Sequence, residues 1–250
     1  LLIQACRRAD RAVFVVALKS QCDPETVDGV DHAWLRLGQA GSAIDALRAN
    51  GVQELVMAGR IQKPSMGQLF PDARTLKFFA SGLLNKGDDT LLSAIVETLE
   101  VEEGFRFVGV QDVMPELLAP AGVLGAVSPS ADDDVSIKTA LHAAKDLGAQ
   151  DLGQAAVAKG DAVIALEDRA GTDAMLKSLN APHAVLAKML KPGQETRADL
   201  PTIGVATIEH AARAGLSGVV VEAGASLIIN RTAVITAADA AGIFVVGVKP

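Results

Sequence analysis

Residues 202–222 read TIGVATIEHAARAGLSGVVVE, in which two apolar runs flank a stretch with a helical pattern. An apolar strand is predicted at Thr202–Ala206, a helix at Thr207–Ala214 and a second apolar strand at Gly218–Glu222. Strand–helix alternation of this kind is typical of a parallel sheet with helices on its faces. The segment therefore predicts an α/β domain in the second half of the chain.

Similar elements surround this segment. In the second half, further strands are predicted at Ala155–Ala158, Ala162–Glu167 and Phe244–Val248, and helices at Val135–Leu147, Thr172–Ser178 and Thr232–Ala240. In the first half, strands are predicted at Ala12–Leu18, Glu54–Ala58 and Phe105–Val110, and helices at Leu1–Ala9, Gly41–Asn50 and Asp88–Glu100. Both halves are therefore predicted to be α/β.

The character of the sequence changes between residues 115 and 135, where Pro, Gly, Ser and Asp interrupt the apolar runs. Such a composition marks a linker or a crossover between domains. We therefore predict an N-terminal domain at residues 1–122, a linker at 123–134 and a C-terminal catalytic α/β domain at 135–250.

The composition of the 250-residue chain excludes several classes of protein. It is 50% apolar and 21% charged, which excludes disorder over most of its length. The net charge of −7 argues against a nucleic-acid partner. Neither cysteine has CxxC spacing, and no apolar run approaches the ~18–20 residues of a membrane span. We therefore expect a cytoplasmic protein without a zinc site or disulfides.

The polar segment KMLKPGQETRADLPTIG (188–204) runs up to the strand predicted at Thr202. Lys and Arg beside Asp and Glu suit a diphosphate–Mg²⁺ site, because cations neutralise phosphate oxygens while carboxylates hold the metal or take a proton from water. The alternative is a solvated loop with surface ion pairs. The loop enters its predicted strand rather than leaving one, whereas ligands of α/β sheets usually lie where strands end. The candidate residues are Lys188, Lys191, Gln194, Glu195, Arg197 and Asp199.

A second polar cluster, EDRAGTDAML (167–176), joins the end of a predicted strand to a helix. The N–H groups of Gly171 and Thr172 at the helix start would suit a phosphate, and Asp173 would suit a cation nearby. The alternative is that Thr172 or Asp173 simply caps the helix.

Two further segments are candidates in the first half of the chain. Arg60 and Lys63 follow a predicted strand, where a nucleotide-binding domain holds its ligand, and would suit phosphate. The acids of KGDD (86–89) either cap a helix or bind metal or ribose. The four histidines are expected to have structural or surface roles; they are His32, His142, His183 and His210.

Several strings resemble those of a known family. They are AGRIQKPS (58–65), FPDARTLK (70–77), KGDDTLL (86–92), DLGQAAV (151–157), GTDAMLK (171–177) and KPGQETRADLPTIGVATIEHAARAGLSGVVVEAG (191–224). Along essentially its whole length the chain resembles the LpxI-type UDP-2,3-diacylglucosamine pyrophosphatases of lipid A biosynthesis.

The resemblance implies Mg²⁺-dependent hydrolysis of the diphosphate of UDP-2,3-diacylglucosamine to UMP and 2,3-diacylglucosamine 1-phosphate (lipid X). It implies an N-terminal Rossmann-like parallel-sheet domain, whose first strand and Gly-rich loop are expected to be missing here, and a distinct C-terminal α/β domain. The expected partners are the nucleotide-lipid substrate, a second copy in a homodimer and, transiently, the inner membrane surface.

The resemblance also bears on the residues of the site. Asp199 matches the family's catalytically important aspartate, and the remaining roles are our hypothesis. We expect Glu195 and Asp173 to assist Asp199 in catalysis. Mg²⁺ is expected at Asp199, Asp173 and Glu167. The predicted substrate-binding residues are Lys188, Lys191, Gln194, Arg197, Gly171, Thr172, Arg60 and Lys63.

Other classes of protein compete with this hypothesis. The main alternative is a nucleotide-sugar or sugar-phosphate binding protein of α/β type, which would bind a UDP-sugar without hydrolysing it. A dinucleotide-dependent oxidoreductase would need GxGxxG after a strand, and the chain contains no such string. A scaffold protein fits poorly, because so many polar residues precede one buried strand.

Overall fold

The computed structural model describes residues 1–59, 61, 71–80 and 88–249, without the side chains of residues 79, 80, 88 and 89. The chain divides into two compact units. Unit 1 comprises Leu1–Met114 together with Glu195–Ala198, and unit 2 comprises Pro115–Gln194 and Asp199–Pro250.

The described part of unit 1 alternates helices with short strands. Its elements are α1 (Leu2–Arg8), β1 (Phe14–Leu18), β2 (Asp31–Leu35), α2 (Ala40–Ala49), β3 (Glu54–Leu55), α3 (Ala73–Ala80), α4 (Asp88–Glu97), β4 (Arg106–Phe107) and α5 (Val110–Val113). A 3₁₀ helix lies at Pro24–Val27, and a π-helical turn at Thr98–Glu102 follows α4.

The strands of unit 1 pair in parallel, as the alternation predicts, but in two separate pairs. β1 pairs with β2 from Phe14 opposite Asp31, and β3 pairs with β4 from Glu54 opposite Arg106. Among the described residues both of these sheets have only two strands. The predicted Rossmann-like domain is therefore not confirmed, although unit 1 mixes helices with parallel strands.

Asp72 ties together the first turns of α2 and α3. Its Oδ2 accepts hydrogen bonds from the N–H groups of Gly41 (2.8 Å) and Ser42 (3.4 Å), and its Oδ1 accepts one from the N–H of Thr75 (2.9 Å). Burial acts to raise the pKa of this carboxyl group, but the hydrogen bonds from Thr75, Gly41 and Ser42 together outweigh burial and hold the pKa below its ordinary value. One carboxylate thus satisfies N–H donors of two helices.

Unit 2 contains the larger sheet. Its elements are β5 (Gly122–Leu124), α6 (Asp133–Ala149), β6 (Ala155–Lys159), β7 (Ala162–Leu166), α7 (Thr172–Ser178), β8 (Val185–Lys188), β9 (Thr202–Ile203), α8 (Val205–Arg213), β10 (Gly218–Glu222), β11 (Leu227–Ile228), α9 (Arg231–Ala241) and β12 (Phe244–Val248).

The six-stranded sheet has the order β5-β12-β10-β8-β6-β7. Its centre is parallel, because β10 pairs in parallel with both β8 and β12. On one side β6 runs antiparallel to β8 and β7 antiparallel to β6, and on the other side β5 runs antiparallel to β12. The sheet is therefore mixed, and the predicted C-terminal α/β domain is confirmed in this coarser form.

Helices cover both faces of this sheet. Val219 and Val221 of β10 pack into a cluster that includes residues of α7, α8 and α9, whereas Val220 packs into a second cluster that includes Ala140 and Ala144 of α6. Residues 218–221 are accordingly all buried. Burial on both faces explains why this strand is a continuous apolar run.

Two predicted strands are shorter in the structure than the sequence indicated. The strand predicted at Thr202–Ala206 stops at Ile203, because α8 begins at Val205 after Gly204, whose N–H donates to Thr207 Oγ1 (3.3 Å). The strand predicted at Phe105–Val110 is limited to Arg106–Phe107, because Val110 begins α5. In both cases the next helix begins with a valine, so hydrophobicity alone did not separate the helix from the strand.

The region predicted as a linker contains regular structure. Residues 122–124 form β5 of the unit 2 sheet, and α6 begins at Asp133 within the same region. Within the described ranges, none of the helices combines the length and the apolar content needed to cross a lipid bilayer.

Gly218 offers a test of how closely the sheet and its core are packed. A Cβ atom added at Gly218 would lie 2.0 Å from Cε2 of Phe244, which is 2% exposed and cannot swing into solvent. We expect Gly218→Ala to lower the free energy of unfolding by about 1–3 kcal/mol, measured by urea denaturation. In a Phe244→Leu background the same change should cost under about 1 kcal/mol. An equal cost in both backgrounds would mean that the ring is not the cause.

Candidate functional site

The predicted site segments of unit 2 lie where the parallel strands of its sheet end, which we call the carboxyl edge of the sheet. The parallel strands β8, β10 and β12 end at this edge, and β7 ends there too, because it is reversed twice relative to β8. Glu167 follows β7, and the polar loop that begins at Met189 follows β8. The loop therefore leaves a strand at its carboxyl end, which is where ligands bind in open α/β sheets.

Glu167 is held in a buried hydrogen-bonded group. It is 8% exposed, and its Oε1 accepts a hydrogen bond from Thr172 Oγ1 (2.6 Å). Its Oε2 accepts one from the N–H of Gln154 (2.8 Å). Both oxygens of this predicted metal ligand are thus engaged by protein donors, and the Thr172 hydroxyl is directed to Glu167.

Gly171 is the N-cap residue directly before α7. It has a φ of +87°, a value that favours glycine. The N–H of Gly171 donates to the carbonyl oxygen of Asp168 (2.9 Å). Two residues on, Asp173 lies beside α8, with its Oδ1 3.6 Å from Nδ1 of His210. The His210 side chain is buried, and its role stays a prediction.

The polar loop after β8 brings Asp199 and Gln194 together. Gln194 Nε2 donates to Asp199 Oδ2 over 2.5 Å, and Gln194 Oε1 accepts from the N–H of Lys191 over 3.2 Å. The Lys191 ammonium group pairs with Asp151 (2.8 Å), and Lys188 Nζ donates to the carbonyl of Thr202 (3.2 Å). Lys188 at the end of β8, and Lys191 and Asp199 on the loop that follows, thus all belong to unit 2.

Residues 195–198 belong to unit 1, where Arg197 is enclosed by carboxylates. Its Nε and Nη2 donate to the two oxygens of Glu195, each over 2.9 Å, and its Nη1 donates to Glu100 Oε1 over 2.8 Å. The hydrogen bond from Arg197 holds the pKa of Glu195 below its ordinary value against the effect of burial, and the pKa of Arg197 is raised in turn. Glu195 and Arg197 are therefore both charged and mutually neutralised at neutral pH.

Two acidic residues near these groups were missed from the sequence. Glu100 lies 97 residues before its partner Arg197, so no local spacing could have linked them. Glu222 ends β10 at the same sheet edge as Lys188, and its Oε2 accepts from the N–H of Leu190 (3.2 Å). Its position as the last residue of an apolar strand was the signal available in the sequence.

Some of the predicted site residues lie outside the part of the chain that the structure describes. Arg60 and Lys63 lie outside the described residues, as do Lys86 and Gly87. Asp88 begins α4. In the part of the chain that is described, no three His, Cys, Asp or Glu side chains converge so that they could hold a metal ion.

The donor set on this edge is nevertheless of the type that Mg²⁺ uses. Mg²⁺ is commonly bound by one or two carboxylates, with waters and substrate phosphates as the other ligands, rather than by a cage of protein side chains. Asp199 offers a part-buried carboxylate on the loop after β8, and Glu167 already has both oxygens engaged. Of these two carboxylates, Asp199 is therefore the better candidate.

The bond between Thr172 and Glu167 gives a stability test with a matched control. Thr172→Val keeps the shape of the side chain but leaves a buried carboxylate oxygen without its donor, so we expect a loss of about 1–3 kcal/mol in the free energy of unfolding. Thr236→Val removes an exposed hydroxyl that bonds within its own helix, and should cost less than about 0.5 kcal/mol. Equal losses by urea denaturation would contradict a special role for the buried bond.

Comparison with known proteins covers both units. Residues 1–117 match the LpxI N-terminal domain family, and residues 120–246 match the LpxI C-terminal domain family. The chain is 45% identical over 262 residues to the UDP-2,3-diacylglucosamine pyrophosphatase LpxI of Caulobacter vibrioides, in an alignment that covers 100% of this chain and 93% of that relative. With both domain families matched in order and this identity along the whole chain, the protein belongs to the LpxI family.

Proposed function

We propose that this protein hydrolyses the diphosphate of UDP-2,3-diacylglucosamine to UMP and 2,3-diacylglucosamine 1-phosphate. The observation that carries the proposal is the 45% identity, along the whole chain, to a relative named for this pyrophosphatase activity. The loop at the carboxyl end of β8 gives independent support, because it joins a carboxylate to lysines where α/β sheets bind ligands.

The reaction defines what the residues must do. Water attacks one phosphorus of the anhydride, the bond from that phosphorus to the bridging oxygen breaks, and the bridging oxygen leaves with the other phosphate. The attacking water gives up a proton, and negative charge accumulates on the phosphate oxygens. Asp199 is the candidate to orient the water or to accept its proton, because its carboxylate is part-buried and held by the Gln194 amide.

The lysines of unit 2 are proposed to offset phosphate charge. Lys188 ends β8 and Lys191 lies three residues later on the same loop, so both ammonium groups belong to the segment that carries Asp199. An ammonium group attracts phosphate as a point charge. The roles predicted for Glu195, Arg197, Asp173, Gly171 and Thr172 stay predictions, as do those for Arg60 and Lys63.

Mg²⁺ dependence is part of the proposal. A bound Mg²⁺ neutralises phosphate oxygens and lowers the barrier to attack by water. Asp199 is the residue proposed to hold it, with substrate phosphates and water as further ligands. Asp199 therefore combines two functions that both depend on the position of its carboxylate, and Gln194 contacts that carboxylate directly.

The central experiment is release of UMP from UDP-2,3-diacylglucosamine by the full chain with Mg²⁺ present. Asp199→Ala should lower the rate about a thousandfold, equivalent to about 4 kcal/mol of barrier, because it removes the metal-holding carboxylate. Asp146→Ala, at an exposed position in α6, is the control and should leave the rate unchanged. Chelation with EDTA should abolish turnover, and added Mg²⁺ should restore it.

The possible outcomes separate the competing functions. Turnover in the wild type that persists in a folded Asp199→Ala variant would keep the activity but reject the assignment of Asp199. Binding of the nucleotide lipid without any release of UMP would instead establish a binding protein that lacks hydrolytic activity. Turnover that persists in the presence of EDTA would reject only the Mg²⁺ dependence and would leave the proposed hydrolysis unchanged.

The homodimer and transient contact with the inner membrane surface stay predictions that rest on the family resemblance, and cytoplasmic location is proposed with them. Multi-angle light scattering of the purified chain should give a mass about twice the 25.8 kDa of one chain. A mass equal to a single chain at micromolar concentration would contradict the dimer.

A further inference from the structure

The amide group of Gln194 is buried and engaged at both ends. The residue is 7% exposed, which is unusual for a glutamine on a loop. The amide nitrogen donates to Asp199 Oδ2 (2.5 Å), and the amide oxygen accepts from the N–H of Lys191 (3.2 Å). Little of the side chain is left to contact a ligand.

The partners of Gln194 determine which way its amide points. The N–H of Lys191 can only donate, so it requires the amide oxygen on its side. The amide nitrogen must then face Asp199, and a flipped amide would direct a donor at a donor and an acceptor at a carboxylate. The hydrogen bond to Asp199 is consequently directional, and it requires a carboxylate that accepts.

The backbone on either side of this pair is fixed as well. Before it, the Lys191 ammonium group pairs with Asp151, and Gly193 has a φ of +77°, which closes the turn after Pro192. After it, Leu200 is buried, and the carbonyl of Pro201 accepts a hydrogen bond from the N–H of Leu227 (2.7 Å). The side chain of Asp199 therefore stands on an anchored backbone, and Gln194 restrains its remaining rotation.

We propose that Gln194 is a positioning residue that holds the Asp199 carboxylate in its working orientation, rather than a residue that contacts the substrate. This inference rests on the proposed function, in which Asp199 serves the hydrolysis. An error of about 1 Å in the position of a reacting group can cost about a hundredfold in rate. A hydrogen bond that prevents such an error acts on kcat and leaves substrate affinity nearly untouched.

The kinetic test uses Gln194→Met, which keeps the length of the side chain but cannot donate to Asp199. We expect kcat for UMP release to fall about 10- to 100-fold while KM changes less than about twofold. Gln150→Met makes the same substitution at an exposed glutamine at the end of α6 and should change neither constant. A higher KM with unchanged kcat would overturn the inference and return Gln194 to the substrate-binding residues.

The double variant Gln194→Met, Asp199→Asn tests whether Gln194 acts through Asp199. In an Asp199→Asn background, Gln194→Met should cause no further loss of kcat, because the group it positions has already been changed. Losses that multiply in the double variant would mean that Gln194 acts independently of Asp199, which overturns the inference. Melting temperatures of all variants show whether a change in rate reflects a change in folding.

A stability cycle separates this inference from the proposed function. The effects of Gln194→Met and Asp199→Asn on the free energy of unfolding should be non-additive, because the two side chains share one buried hydrogen bond. Additive effects would overturn the inference whether or not the protein is a hydrolase. Non-additive effects without any wild-type turnover would reject the proposed hydrolysis and keep Gln194 as the residue that positions Asp199.

Discussion

Strand β10 pairs in parallel with both β8 and β12, and this pairing organises unit 2. A strand with hydrogen-bonded neighbours on both edges and helices on both faces has little contact with water, so its buried residues 218–221 must be apolar. Val220 packs toward α6 while Val219 and Val221 pack toward the opposite helices. The same close packing leaves no room for a side chain at Gly218, where the Phe244 ring occupies the space.

This pairing also decides where polar chemistry can lie. Three parallel strands must end at one edge of the sheet, and their exits place Lys188, Glu222 and the loop that carries Asp199 at that edge. The polar side chains at this edge are held in place by hydrogen-bond partners. Glu167 is held by Thr172 and the N–H of Gln154, and Asp199 by Gln194, so the sheet defines the backbone while hydrogen bonds orient the side chains.

The sequence predicted the elements of unit 2 better than their ends or their contacts. The apolar run at Gly218–Glu222 is too short and too β-branched for a helix, and it is a strand as predicted. Strand β8 was missed, because AVLAK consists largely of helix-forming residues and only its position between β10 and β6 makes it a strand. The polar loop could be identified by composition, whereas the Glu100–Arg197 pair spans 97 residues and depends on the fold.

The charges of the loop bear on the proposed need for a divalent cation. In unit 2 the Lys191 ammonium group faces Asp151, and in unit 1 the Arg197 guanidinium is shared between Glu195 and Glu100. These cations are already balanced by carboxylates of a chain with a net charge of −7. A diphosphate that approached either ion pair would have to compete with its carboxylates, and a Mg²⁺ ion held by one carboxylate would keep a net positive charge to offset phosphate. In the proposed hydrolysis, these ion pairs are a reason to expect Mg²⁺ to act beside the basic side chains.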